Sequence, residues 1–149
     1  NEIIYVIEER AAHRPPLVSG VGVRLPSHLT ATGRAILSAL PRNQVRALYP
    51  NRQAFTDRTG IGPKSPKELE ATLAETQRTG FAEEHGDVTP GFDSYAVAVR
   101  DYNDFPIAGL ALTFVSGSLR PEQERSLKTK LRLAGTELSR RLGAVGSLT

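Results

Sequence analysis

Tyr95, Val97 and Val99 alternate with Ala96, Ala98 and Arg100, and a second apolar run, Pro106 to Val115, follows the polar stretch Asp101 to Phe105. A period of two is the mark of a strand, and two such runs joined by a short polar turn predict a β-hairpin. This hairpin limits the fold more than any other feature, because it requires an antiparallel sheet. The elements around it are read relative to that sheet.

Ile3 to Glu8, rich in Ile, Val and Tyr, predicts a strand. Pro15-Pro16 interrupts it, and Leu17-Val18 with Val21-Gly22-Val23 predicts a second strand with glycine irregularities. A helix is expected from Ser27 or Thr30 to Leu40. Pro41 ends it and also opens a short helix, Arg42 to Tyr49. Pro50 to Pro63 reads as a loop. Ser65 at an N-cap, Pro66 at the first position and Glu68 at the third predict a helix, with Leu69, Leu73 and Thr76 at helical spacing and Gly80 as its stop. Phe81-Ala82-Glu83 begins a strand, and an irregular segment runs through Gly91. Pro121 opens a long helix whose Leu127, Leu131, Ala134, Leu138 and Leu142 form one expected apolar face, ended by Gly143. Hairpin strands with helices between them give an α+β class with an antiparallel sheet.

A chain of 149 residues is one domain, long enough to bury a core without staples. It has no cysteine, which removes disulfide frameworks, thiolate metal sites and cysteine nucleophiles and is compatible with a reducing cytoplasm, the expected location. No apolar run approaches the roughly 18–20 residues of a membrane-crossing helix, and no signal peptide opens the chain, so no membrane partner is expected. The sequence starts at Asn1, without a methionine, and goes directly into the first strand. That reads as the middle of a protein whose N-terminal partner is missing.

The formal charge is +3, with a pI near 9.5. The basic residues Arg125, Lys128, Lys130, Arg132, Arg140 and Arg141 are interspersed with Glu122, Glu124 and Glu137. This pattern reads as a solvated helix face rather than a nucleic-acid patch.

An enzyme needs a constellation of reactive groups. The histidines are His13, His28 and His85. His28 adjoins Ser27, but neighbours at a helix start rarely place an imidazole on the adjacent hydroxyl, and Gly117-Ser118 lacks the G-x-S-x-G frame. There is no H-E-x-x-H. Glu83, Glu84, His85 and Asp87 could hold a metal, but no second histidine stands at ligand spacing, so the group reads as a solvated loop. Gly20-Val21-Gly22 lacks the third glycine of a dinucleotide fingerprint. Ala31-Thr32-Gly33 lacks the lysine of a phosphate loop. No catalytic residue, metal or cofactor is expected.

One stretch remains: Leu25-Pro26-Ser27-His28-Leu29-Thr30-Ala31-Thr32-Gly33-Arg34-Ala35-Ile36-Leu37. A helix that opens on small residues and hydroxyls has two readings. Its free N–H groups and positive dipole end favour an anion, to which Thr30 and Thr32 could donate. Alternatively, Ala31 and Gly33 let the helix sit tightly on the sheet.

The same stretch resembles the Leu-Pro-x-His…Gly-Lys-Ala-x-Leu segment of the IclR family of bacterial transcription regulators, with Arg34 for the usual lysine. Leu69, Arg78-Thr79-Gly80-Phe81, Gly91, Ala96 to Val99 and Pro106 to Leu110 extend the resemblance over about Ile3 to Gly143. It implies a GAF-like effector-binding domain: a curved antiparallel sheet flanked by helices, with a pocket over one face. It also implies a winged helix-turn-helix, absent from these residues, that binds promoter DNA, self-association as dimer or tetramer, and a small organic or aromatic acid as effector. The positions that match the family's ligand contacts are Leu17, Leu25, Ala31, Thr32, Glu84, Ser94, Ala111 and Thr113. The chain departs from the family at Gly86-Asp87, where a Glu-Glu pair is common, and at Ala111 and Thr113, where some members have serines. A Glu84 carboxylate facing an acid is unfavourable. The alternatives are a purely structural dimerisation module, or a free-standing GAF-like sensor or enzyme.

Overall fold

The computed structural model describes residues 1–12, 17 and 19–145. His13, Pro15-Pro16 and Val18 lie outside the described residues. In chain order the elements are β1 (Glu2–Ile4), β2 (Arg24–Pro26), α1 (Ala31–Ala39), α2 (Arg42–Leu48), a 3₁₀ turn (Arg52–Ala54), α3 (Pro66–Thr79), β3 (Ala82–His85), β4 (Phe92–Arg100), β5 (Pro106–Val115) and α4 (Pro121–Arg141). The fold is α+β, and all pairing is antiparallel. The strands form a two-stranded ladder, β1-β2, and a three-stranded sheet, β3-β4-β5.

The hairpin folds as its alternation predicts, except that β4 begins earlier, at Phe92. Ser94 faces Thr113, Ala96 faces Ala111 and Ala98 faces Gly109 across the ladder. These residues share one face. Tyr95, Val97 and Val99, opposite Leu112, Leu110 and Ala108, share the other. The two faces carry different helices. Ala31 and Ala35 of α1 pack on Ala82 and Ala96, whereas Leu131 of α4 packs among Phe81, Tyr95, Val97 and Phe114. Leu37, Val45, Tyr49, Leu69 and Leu73 fill a further core between α1, α2 and α3.

Small residues hold α1 close to its surroundings. A Cβ on Gly33 would lie 2.2 Å from the Ser27 carbonyl oxygen, and one on Gly109 would lie 2.7 Å from Thr32 Cγ2. The tight-packing reading of the opening stretch therefore holds at Gly33. Thr30 caps the helix, its Oγ1 accepting from Gly33 N–H at 3.0 Å. Ser65 and Gly80 cap α3 as their positions predict, Gly80 with φ of 78°.

Two expectations fail at the N-terminal end. β1 stops at Ile4 rather than continuing to Glu8, leaving Val6 71% and Ile7 79% exposed. Among the described residues the second strand is Arg24–Pro26, and the expected Val21 to Val23 is a turn rather than part of it. The cause is a tight reversal: Gly22 N–H donates to Tyr5 C=O, Val23 N–H donates to Gly20 C=O, and Gly22 takes a φ of 87°.

The apolar face expected on α4 is also rotated. Leu131, Gly135 and Ser139 are buried, while Ala134, Leu138 and Leu142 stay exposed. Close approach decides this. A Cβ on Gly135 would lie 2.5 Å from Val97 Cγ2. Ser139 Oγ accepts from Arg100 N–H and donates to Gly135 C=O. The basic residues of α4 stand on its surface among carboxylates, Lys128 with Glu83 and Glu124, and Arg140 and Arg141 with Glu137.

Candidate functional site

The N-terminus of α1 opens over the small-residue face of the sheet. As the first two helical residues, Ala31 and Thr32 have N–H groups without an intrahelical acceptor. Facing them on the sheet are Glu84 of β3, Ser94 of β4, and Ala111 and Thr113 of β5, one cross-strand row and its neighbour. Leu17, Ala31, Thr32, Glu84, Ser94, Ala111 and Thr113, all expected as site residues, line one pocket. Leu25 does not: it is buried in β2 opposite Ile3.

Sequence reasoning missed Tyr5, Ser19, Val88, Thr89 and Phe92, which complete the lining together with the capping Thr30. These sit on loops or at strand ends, where no periodicity marks a direction. The space enclosed is about 20 Å³, enough for about one water molecule.

The polar groups of the pocket are arranged by contrast. Ser94 Oγ and Thr113 Oγ1 lie 3.0 Å apart and share a hydrogen bond. Glu84 is only 3% exposed. Its Oε1 accepts from Val88 N–H at 3.1 Å, yet burial pushes its carboxyl above the usual carboxylate range. Tyr5 is pushed up to about 12 by burial and by the nearby Glu84 charge. The pocket therefore sets the helix amides of Ala31 and Thr32 beside a carboxyl that burial shifts upward.

The reading of Glu83 to Asp87 as a solvated loop is corrected. Glu83, Glu84 and His85 form β3, and Glu84 and Asp87 are buried. Asp87 is buried because Arg34, in the first turn of α1, pairs with it. No cluster of potential metal ligands occurs among the described residues. His28 takes part in packing, not in a triad: its Nε2 lies 2.9 Å from Thr56 C=O, and its ring meets Tyr49 and Phe55 edge-on.

A family model described as bacterial transcriptional regulator IclR, C-terminal, matches residues 1–140. The chain belongs to the IclR family. Among its relatives, the HTH-type transcriptional regulator XynR of Escherichia coli is 30% identical over 125 residues, covering 84% of this chain and 49% of XynR. The glycerol operon regulatory protein of Streptomyces coelicolor is 32% identical over 130 residues, covering 83% and 48%. The chain thus spans about half the length of these curated relatives. Among solved structures, the Agobacterium tumefaciens repressor BlcR aligns with a TM-score of 0.86 at 29% identity, over 97% of this chain and 57% of that one. Thermotoga maritima IclR aligns at 0.85 and 23%, over 95% and 57%. The IclR match makes this chain the C-terminal domain of a transcriptional regulator rather than an enzyme. No helix among the described residues is long and apolar enough to cross a membrane.

Proposed function

We propose that this IclR domain senses a small organic or aromatic acid in the pocket at the start of α1 and passes its occupancy to a DNA-binding domain elsewhere in the polypeptide. The observation that carries this reading is the convergence of the free α1 amides with the hydroxyls of Thr32, Ser94 and Thr113 on one cavity. Convergent hydroxyls beside the apolar Leu17, Val88, Phe92 and Ala111 suit a small ligand with both polar and apolar parts, and the amides suit its carboxylate. Burial raises the Glu84 carboxyl and so lowers the cost of protonating it beside an acid, and its oxygens are placed to accept from a ligand hydroxyl. A solved inducer-binding domain of the PobR transcription factor from Acinetobacter, as a double mutant in complex with 3-hydroxybenzoic acid, lends this class support; it aligns at a TM-score of 0.70 and 22% identity.

Occupancy acts by preferring one arrangement of domains over another. Self-association supplies those arrangements, and the exposed Leu138 and Leu142 at the end of α4 are the surface that favours it. Four of the relatives are named as HTH-type regulators, which supports DNA as the partner of the rest of the polypeptide.

A thermal-shift series against small aliphatic and aromatic carboxylates tests the reading. A ligand present at about 100 times its dissociation constant stabilises by roughly 2.7 kcal/mol. Ser94→Ala and Thr32→Leu are expected to remove that shift while the unliganded protein stays folded. A shift unchanged in both variants, or none with either class of acid, rejects the pocket as the effector site.

A further inference from the structure

Most walls of the pocket at the start of α1 are held by packing or pairing. The helix start is pinned at Gly33, and Glu84, Ser94, Ala111 and Thr113 belong to paired strands. Val88 and Thr89 differ, because they lie on the short connection 88–91 between two fixed points. Before it stands Asp87, buried and paired with Arg34. At its end Gly91 C=O accepts from Ser116 N–H at 2.9 Å, and β4 begins at Phe92. Gly91 is the pivot. Its φ is 83°, and a Cβ there would meet nothing within 4 Å, so the chain can turn at this point without collision.

Three hydrogen bonds hold the connection down. One is local, Phe92 N–H to Thr89 C=O at 3.2 Å. The other two grip Val88 from opposite sides. Its N–H donates to Glu84 Oε1 at 3.1 Å, and its C=O accepts from Arg58 Nε at 2.9 Å. Glu84 lines the pocket, whereas Arg58 is exposed on the segment before α3 and takes no part in the lining. Thr59, next to Arg58, is tied to the fixed side: its Oγ1 lies 2.9 Å from Gly86 C=O and 3.2 Å from Asp87 C=O. A shift of Val88 therefore releases Arg58 while Thr59 stays in place.

We propose that residues 88–90 are the door of the pocket, latched by Glu84 inside and by Arg58 outside, and that an occupant drawing on Glu84 opens the door and frees the Arg58 guanidinium at the surface. This inference rests on the reading of the pocket as an effector site. Competition drives it: a ligand group that donates to Glu84 contends with Val88 N–H for Oε1. Little opposes the movement. Val88 and Thr89 are half-buried and Pro90 is exposed, so few apolar contacts are lost, and water replaces the hydrogen bonds given up. Occupancy inside the domain thus becomes a change of charge placement on its outer face.

The chain has no cysteine, so Ser94→Cys places a single thiol of similar size behind the door. Its labelling by methyl methanethiosulfonate, followed by mass spectrometry, reads opening without any effector. Arg58→Ala in that background is expected to speed labelling about fivefold, the worth of one hydrogen bond at the latch. Arg46→Ala, which breaks a surface pair with Glu70 outside the pocket lining, should leave the rate unchanged. Amide exchange by NMR decides the matter alone should Ser94→Cys not fold. There Arg58→Ala should speed exchange of the Val88 N–H by a similar factor and leave the Val97 and Leu110 amides of the hairpin as they were. Rates unmoved by Arg58→Ala overturn the proposal and assign the opening to the wall at Leu17 and Ser19. Rates that rise only in step with the hairpin amides report global unfolding and overturn it likewise. Because no effector enters this experiment, its failure and the failure of the thermal-shift series are separate results.

Discussion

Arg34 and Asp87 form a buried ion pair that joins the first turn of α1 to the loop between β3 and β4. Arg34 spends its remaining donors locally, Nε on His28 C=O at 2.8 Å and Nη1 on Glu83 C=O at 2.7 Å. One guanidinium thus fixes the helix start, the strand that carries Glu84 and the loop that closes the pocket. Asp87 also accepts from His85 N–H. A Cβ on Gly62 would come within 2.5 Å of the Asp87 carboxylate, so the loop before α3 lies directly over the pair.

Removing one partner leaves a buried charge without compensation. Asp87→Ala is expected to cost about 3–5 kcal/mol, and Arg34→Met a similar amount, whereas the double variant Arg34→Met/Asp87→Leu should cost much less than their sum. Urea unfolding of the four proteins completes the cycle. Additive losses would mean that the pair is not coupled.

Glu84 carries the opposite electrostatic sign. Its folded pKa is raised from 4.5 by burial, so it stabilises fully only below that value, and stability falls as pH rises through the folded pKa. Glu84→Gln should therefore melt higher than the parent at pH 7, with the gain disappearing at pH 4. A melting-temperature series across that range checks the sign, and a lower Tm at pH 7 would contradict it.

His28 responds to acid. Burial is the first cause of its lowered pKa, and its Nδ1 is a buried polar atom without a partner. A depressed histidine contributes stability above its unfolded value of about 6.5 and loses it as pH falls toward the folded value. The parent should weaken between pH 7 and 5, and His28→Gln, though less stable at pH 7, should show a flatter dependence. Chemical denaturation at the two pH values reads the difference, and equal slopes would exclude His28 as the source.

The seam between α1 and β5 can be probed by compensation. Gly109→Ala drives a methyl into Thr32 Cγ2 and should destabilise by about 1–3 kcal/mol. Thr32→Ser removes that methyl group and should restore most of the loss in the double variant. A Gly109→Ala protein as stable as the parent would show that the seam yields freely.

How far the sequence reveals this structure depends on the range of the interaction. The hairpin and α3 were legible because alternation, Ser65, Pro66 and Gly80 act within a few residues of themselves. The α4 face was misread because leucines draw the eye, while the contact with Val97 and Arg100 is made by Gly135 and Ser139, whose small size matters only once a sheet lies beneath them. The burial of Asp87 was illegible for a similar reason: its partner Arg34 lies 53 residues away. At the pocket, the α1 start was marked by its unusual small residues and the sheet positions by the family resemblance. Tyr5, Ser19 and Thr89 carried neither signal.

The small size of the pocket has a consequence for any measured affinity. Its walls leave about 20 Å³, room for about one water molecule and less than an organic acid occupies. An acid of the proposed class would draw on a wider conformation, and its apparent dissociation constant would be the intrinsic one divided by the fraction of molecules already wide. A substitution that props the walls apart would then tighten binding without touching the ligand. Two relatives with identical contact residues would differ in sensitivity through the packing of Val88 and Phe92 alone.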